Sequence, residues 1–451
     1  MYWANFLHIY QPHNQKEIWV RRITSESYRK IFAGLLTIKR ARLTLNINGI
    51  LCELLEKYGG KDVLENIRKL LESGNIELTG SAKHHAFLPL LPKSEIERQV
   101  LLNEETLKRY FGDAWKKSGF FSPEMGYSKK VAEVAASMGY KWIIIDEIAF
   151  PEGKSKENNT IYSIDGIDGF DVFFRERNLS FFILSGQVGT VPAILKSAGG
   201  RLEKDEYAIT GMDGETFGHH RPGLETLLLD LLKEEKIIPA TIDDLRNKFT
   251  NREIIQPRDS TWAATKKDMK QGAPFSRWKG DDNIIHQKQW QLTDLAIAVV
   301  NRERKNPALR KLLDEALHSD QYWWACARPW WSLEMIERGA YELKTILLKS
   351  ESATAEEKSQ AEKLHREIVF TGFDWQRSGL IDEISRKEDE EIRSRLDDEE
   401  KFVITAKEYE EMIKTLEREM KLAAESKDYH RAAMISDRIR ELNEEKNKVN
   451  A

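Results

Sequence analysis

Short apolar runs, each ending abruptly in polar side chains and followed by a helical pattern, recur through the first half of the chain. Residues 3–10 read as a buried strand whose end carries His8, Tyr10 and Gln11. Residues 43–47 read as a second strand, with a helix at 50–58 behind it. In 61–73, Val63, Leu64, Ile67, Leu70 and Leu71 recur at helical spacing. Gly74 and Asn75 break that helix; 76–80 is a short strand holding Glu77, and His84 and His85 follow. A helix is expected at 93–111, with Ser94 as N-cap and Glu97 three residues on. The run 119–127 is a strand with a polar end at Glu124, ahead of a helix at 128–138. Residues 141–146 (KWIIID) are the most strand-like run, 153–159 a polar loop, and 171–184 one or two further strands.

The stretch 207–223, YAITGMDGETFGHHRPG, states the pattern most plainly. It opens apolar and β-prone, then turns to Asp213, Glu215, His219 and His220 before a helix at 224–236 and a last strand at 237–240. Strand, polar tip and helix repeat about seven times up to residue 245, which implies a parallel sheet with crossovers closed into a barrel. In such a barrel the polar tips converge on one mouth. Past 250 the strand signal stops and helices are expected at 284–303, 307–318, 332–349 and 355–370. The expected organisation is therefore a catalytic barrel over 1–250, a helical subdomain on its mouth over 251–380, a charged helix or linker over 381–408, and a helical hairpin over 409–446. Met412, Leu416, Met420 and Ala423 line one arm of that hairpin, and Ala432, Ile435, Ile439 and Leu442 the other. So small a hairpin buries too little alone, which points to a protein partner or self-association through 409–442.

Composition narrows the class. The 451 residues carry a net charge of −4, without the basic excess of a dedicated nucleic-acid binder. Two distant cysteines make neither a disulfide framework nor a zinc site. The N-terminus lacks a signal-peptide pattern and no apolar run approaches a membrane span, so a cytoplasmic protein is expected.

Among the tips, Glu124 and Asp213 are separated carboxylates able to serve as general acid and nucleophile in glycosidic cleavage. Their bland alternatives are a helix-capping carboxylate for Glu124 and a charged surface turn for Asp213 and Glu215. The histidines read equally as hydrogen-bonded wall residues. A zinc site from His8, His84, His85 and Asp213 lacks the i, i+4 ligand spacing of a helix, and neither metal nor cofactor is expected. Trp262, Trp278, Trp323, Trp324, Trp330 and Trp331 crowd near Asp259, Asp281, Asp282 and Asp320. Core packing is the usual fate of tryptophan, but Trp323 and Trp324 cannot both point inward from one helix face.

Five of these segments together resemble glycoside hydrolase family 57, over about residues 1–345. They are His8-Ile-Tyr-Gln11-Pro12, Gly74-Asn-Ile-Glu77-Leu-Thr, Phe121-Ser-Pro-Glu124-Met-Gly-Tyr, Met212-Asp213-Gly214-Glu215-Thr-Phe217-Gly218 and Ser319-Asp320-Gln-Tyr-Trp323-Trp324. The resemblance implies an α/β fold, an incomplete (β/α)7 barrel followed by a helical subdomain and here a C-terminal α-helical hairpin. It implies a retaining enzyme acting on an α-glucan or maltooligosaccharide, with Glu124 as nucleophile and Asp213 as acid/base. Substrate contacts are expected from His8, Tyr10, Gln11, Glu77, His84, Glu215, His219, Trp262, Asp320, Trp323 and Trp324. Tyr10 stands where many members carry a second histidine, which leaves the substrate open. Hydrolase, 4-α-glucanotransferase and branching enzyme all remain, beside a non-catalytic glucan-binding scaffold and a metal-dependent hydrolase. The hairpin is similar to the UVR-type hairpin of excision-repair nuclease subunits, which implies a protein-contact module.

Overall fold

The computed structural model describes residues 1–184, 190–388, 405–425 and 427–450. Ten strands occur among them: β1 (Tyr2–Ile9), β2 (Leu43–Ile47), β3 (Ile76–Leu78), β4 (Gly119–Phe121), β5 (Trp142–Asp146), β6 (Thr160–Ile164), β7 (Asp171–Arg175), β8 (Tyr207–Asp213), β9 (Ile238–Ala240) and β10 (Asn251–Ile255). Strand β1 divides its side chains between two cores. Ala4 and Phe6 point into the barrel, whereas Trp3, Leu7 and Ile9 pack outward under helices. This is the period-two alternation of an extended chain.

One sheet runs β3-β2-β1-β8, with β9 beside the start of β1; the other runs β10-β6-β7-β5-β4. Two seams join them. Gly80, past β3, bonds to Gly119 and Phe121 at 2.9 Å each, and Glu176, past β7, donates its N–H to Ile209 at 2.8 Å. A side chain at Gly80 would collide with the Tyr140 ring, so the first seam requires glycine. The seven strands β8-β1-β2-β3-β4-β5-β7 thus curl into one parallel wall. Antiparallel β6 inserts against the start of β7, and Asn158, just before it, accepts the Tyr207 N–H at 2.7 Å. The wall is therefore split there, and the fold is an incomplete (β/α)7 barrel.

The apolar spacing in 61–73 forms the helix Lys61–Glu72, burying all five expected residues. The reading of 171–184 as strand holds only to Arg175. A helix, Arg177–Leu184, follows, because Leu179, Ser180 and Ile183 bury one face at helical spacing. Strand β10 lies past the point where strand signal ended; it is an edge with Arg252, Glu253 and Ile254 not buried, so it shows no alternation. Helices Ile284–Arg302, Pro307–Ala316, Leu333–Lys349 and Ala355–Ser378 share one apolar cluster with the outward side chains Phe120 and Ile143. Of the expected linker at 381–408, residues 389–404 lie outside the described ones. Helices Ala406–Glu425 and Tyr429–Asn450 form the hairpin around Met412, Leu416, Ile435 and Leu442. It rests on its own barrel: Arg431, buried, donates to the Gly218 carbonyl at 3.1 Å and to Glu225 at 2.9 Å. Among the described residues no helix is long and apolar enough to cross a membrane.

Candidate active site

The alternation that builds the barrel also aims its tips. On β8, Tyr207 and Ile209 face inward, so Gly211 and Asp213 do too. On β1 the inward series Ala4, Phe6 continues to His8, which pairs in register with Asp213 on one side and Asn46 of β2 on the other. On β4, Phe121 faces inward and the chain then turns through Glu124. Glu124 adopts φ 63°, ψ 18°, and its neighbour Met125 φ 48°. Left-handed backbone at a glutamate is strained and is held by its surroundings. Met125 then reaches across to Gly211, where a Cβ would stand only 3.2 Å from its Cε. Glu124 and Asp213 therefore open onto one mouth, both half-buried.

A polar chain lines that mouth. His8 donates from Nδ1 to Asn46 at 2.8 Å, which leaves its Nε2 to accept from His85 Nε2 at 3.0 Å. His85 Nδ1 in turn accepts from Ser319 at 2.9 Å. Burial holds His8 well below the usual histidine range and His85 at about 4, so both rings are neutral and these tautomers are fixed. Tyr10 stacks on His85 at 3.9 Å and donates to Asp320 at 2.6 Å. Glu124 Oε2 accepts from the Trp262 indole at 2.8 Å, while Oε1 lies 3.9 Å from His85.

The carboxyls are lifted together. Burial, then the charge of Asp213, raises Glu124 to about 8, against the Trp262 hydrogen bond. Burial raises Asp213 to about 6, against the positive charge of Arg175. Burial and Asp213 raise Glu215 to about 7. Asp320 goes the other way: burial raises it, but the hydrogen bond and charge of His318, with the Tyr10 hydroxyl, outweigh that and hold it at about 2. The mouth thus carries a proton shared among carboxyls beside one fixed carboxylate.

The structure brings His8, Tyr10, Glu124, Asp213, Trp262 and Asp320 together. Gln11 and Glu215 stand just behind: Glu215 is buried and accepts from Tyr28 and from Gln11 at 3.2 Å. Glu77 is elsewhere. It faces inward but lies one layer down, level with Thr44, while Thr79 takes the mouth level against Asn46. Its carboxyl caps the helix Ile242–Lys248, accepting from Thr44 at 2.7 Å and the Ile242 amide at 2.8 Å. His219 bonds Glu26 at 2.5 Å on the side where the hairpin docks. His84 is buried beside His13, with its amide on Gln99. Trp323 packs on buried Trp278 at 5.2 Å, and Trp324 on Trp330 at 6.2 Å, each half-buried. His8, His84, His85 and Asp213 do not converge as a metal set among the described residues.

Four contributors escaped the sequence reading as site residues. Asn46 and Ser319 fix the two histidine tautomers. Tyr28 comes from a helical segment the pattern did not mark. Arg175, at the end of β7, donates to Gly211 O at 2.6 Å and lies 6.0 Å over Trp262. Its place at a strand end, like that of Asn46, is the signal that could have found it.

A family model described as Glycosyl hydrolase family 57 matches residues 4–256, and one described as UvrB/uvrC motif matches 410–445. An α-amylase of Pyrococcus horikoshii is 20% identical over 360 residues, covering 70% of this chain and 55% of that protein. The chain thus spans about half the length of that curated relative. A solved 4-α-glucanotransferase from Thermococcus litoralis superposes with a TM-score of 0.60 at 17% identity, over 77% of this chain and 58% of that one. A branching enzyme from Pyrococcus horikoshii gives 0.58 at 16% identity, over 82% and 96%. At such identities the likeness shows the barrel and its helical region. Through residues 4–256, more than half its length, the chain belongs to glycosyl hydrolase family 57, with a UvrB/uvrC motif appended.

Proposed function

We propose that the chain cleaves α-1,4-glucosidic bonds by double displacement, retaining anomeric configuration. Ionised Glu124 attacks the anomeric carbon while Asp213 gives its proton to the departing oxygen; Asp213 then takes a proton from the acceptor that releases the sugar from Glu124. The observation that carries this is the pair itself: two lifted carboxyls on one mouth, one of them anchored by the Trp262 indole. The Tyr10 hydroxyl and the Asp320 carboxylate supply neutral and anionic hydrogen-bonding groups suited to the hydroxyls of a glucosyl unit, on a wall that His8 and His85 hold in place.

In the sugar-free site Glu124 is the more basic carboxyl, so the shared proton rests there. Attack by Glu124 needs that proton on Asp213, and substrate binding must supply the reversal. The reverse assignment has Asp213 attack and Glu124 serve as the acid. Azide rescue separates them. With Asp213→Ala, azide should give the retained glycosyl azide; with Glu124→Ala, the inverted one. The opposite pairing would exchange the roles.

Water and a sugar hydroxyl are equivalent acceptors up to the intermediate. The relatives are named an α-amylase, a 4-α-glucanotransferase and a branching enzyme, so hydrolysis, transfer and branching are all within this chemistry. Products from maltooligosaccharides sort them: only shorter chains mean hydrolysis, longer linear chains transfer, branched chains branching. Two free cysteines, Cys52 and Cys326, both buried, fit a reducing cytoplasm.

A further inference from the structure

Behind Asp320, three side chains from separate elements converge. His13 comes from the loop after β1, His318 from the turn before the helix Asp320–Trp323, and Glu342 from the helix Leu333–Lys349. One ligand-type atom of each lies within 4.8 Å of the other two. His13 Nε2 stands 3.3 Å from Glu342 Oε1, and His318 Nε2 stands 3.7 Å from Glu342 Oε2. Donor atoms about a tetrahedral zinc, with bonds of about 2 Å, stand about 3.3 Å apart. The His13 spacing matches that value and the His318 spacing exceeds it by a few tenths of an ångström, one ring facing each oxygen of Glu342, and the trio closes within 4.8 Å. His318 Nε2 and Glu342 Oε2 are both buried without a hydrogen-bond partner, and His318 is 1% exposed.

The surroundings agree. His318 Nδ1 faces Asp320 Oδ2 at 3.2 Å, the carboxylate–histidine arrangement that orients a metal-bound imidazole. Asn14 donates to Glu342 Oε1 at 3.1 Å. His84, whose Nδ1 is also buried and unpartnered, lies outside this trio, with its ring 6.4 Å from that of His13. His13 and Glu342 keep 16% and 23% of their side chains exposed, which leaves a path for an ion. We infer that His13, His318 and Glu342 form a divalent-metal site of the zinc type that ties the barrel to the helical region. The ion takes no part in glycosidic cleavage. It clamps the β1 loop and holds, through His318, the Asp320–Tyr10 wall. The inference stands on this cluster and is independent of the catalytic roles.

The test uses the full chain, stripped with chelator and dialysed, titrated with Zn2+ alone at neutral pH. The expected result is one Zn2+ per chain with micromolar or tighter affinity, and a higher thermal midpoint with the metal. Glu342→Gln and His13→Ala should each weaken uptake by roughly tenfold or more. Absence of stoichiometric uptake by the wild type, or undiminished uptake by folded variants, overturns the site and leaves His318 as an imidazolium between two carboxylates. Should the variants not fold, Co2+ on the wild type decides. Intense visible bands of a tetrahedral ion support the site, and weak octahedral bands or none overturn it.

Discussion

The indole N–H of Trp262 donates to Oε2 of Glu124 at 2.8 Å, and the Trp262 amide donates to the Glu124 carbonyl at 3.2 Å. The proposed nucleophile is thus held at both ends by one residue from outside the barrel strands. Trp262→Phe keeps an aromatic ring there and removes the indole donor together with the fused five-membered ring. A hydrogen bond to a charged group is worth about 1.5–3 kcal/mol, so kcat/KM should fall by roughly 10- to 100-fold. The lost donor favoured ionised Glu124, so its pKa should also rise. A mutant with wild-type kcat/KM and pH profile would remove Trp262 from this role.

The pH dependence follows from the coupled carboxyls. Glu124 lies at about 8 and Asp213 at about 6, so the pair holds one proton between those values. Below about 6 both are protonated and no nucleophile exists; above about 8 both are ionised and no acid exists. A bell-shaped kcat/KM with limbs near those values is expected. A profile flat from acid through alkaline pH would contradict it.

Glu77 offers a test of stability instead of catalysis. Burial, then the charge of Asp243, lifts it from 4.5 to about 8. Between those values the native state holds a proton that the unfolded chain has released. Its contribution is full below 4.5 and is lost as pH rises through about 8. Glu77→Gln keeps the acceptor for the Ile242 amide and removes the titration. Urea unfolding across this window should lose less stability in the variant, the difference being on the order of one to a few kcal/mol. Parallel curves for both proteins would show that Glu77 does not titrate there.

Arg431 is the hairpin's buried anchor, 6% exposed and bonded to Gly218 and Glu225. In Arg431→Ala, Glu225 keeps Lys30 at 2.7 Å and the Gly223 amide at 2.8 Å, so the barrel side stays partnered. The loss should be about 1–3 kcal/mol and confined to docking. Limited proteolysis should then cut 405–450 faster than in the wild type while the barrel persists. Equal cleavage rates would mean the hairpin is held by its apolar contacts.

What could be read from the sequence was the face of each strand. Tyr207, Ile209, Gly211 and Asp213 share one face by alternation alone, and so do Ala4, Phe6 and His8. Depth was not legible. Glu77 faces inward like the others, yet strand register places it a layer below the mouth, and register comes from pairing across the sheet. Partners from distant segments were equally hidden. Nothing local to Trp262 announces Glu124 as its acceptor, and nothing near His13 announces His318 and Glu342. Strand β10 escaped because an exposed edge has no core to impose alternation on it.

In the proposed double displacement Glu124 carries the sugar. The sharpest test is to incubate the protein with a deactivated fluoroglucosyl fluoride, digest it and sequence the labelled peptide by mass spectrometry. One glucosyl adduct is expected, on Glu124, and none in Glu124→Gln. An adduct on Asp213, or turnover with no covalent adduct, would contradict it.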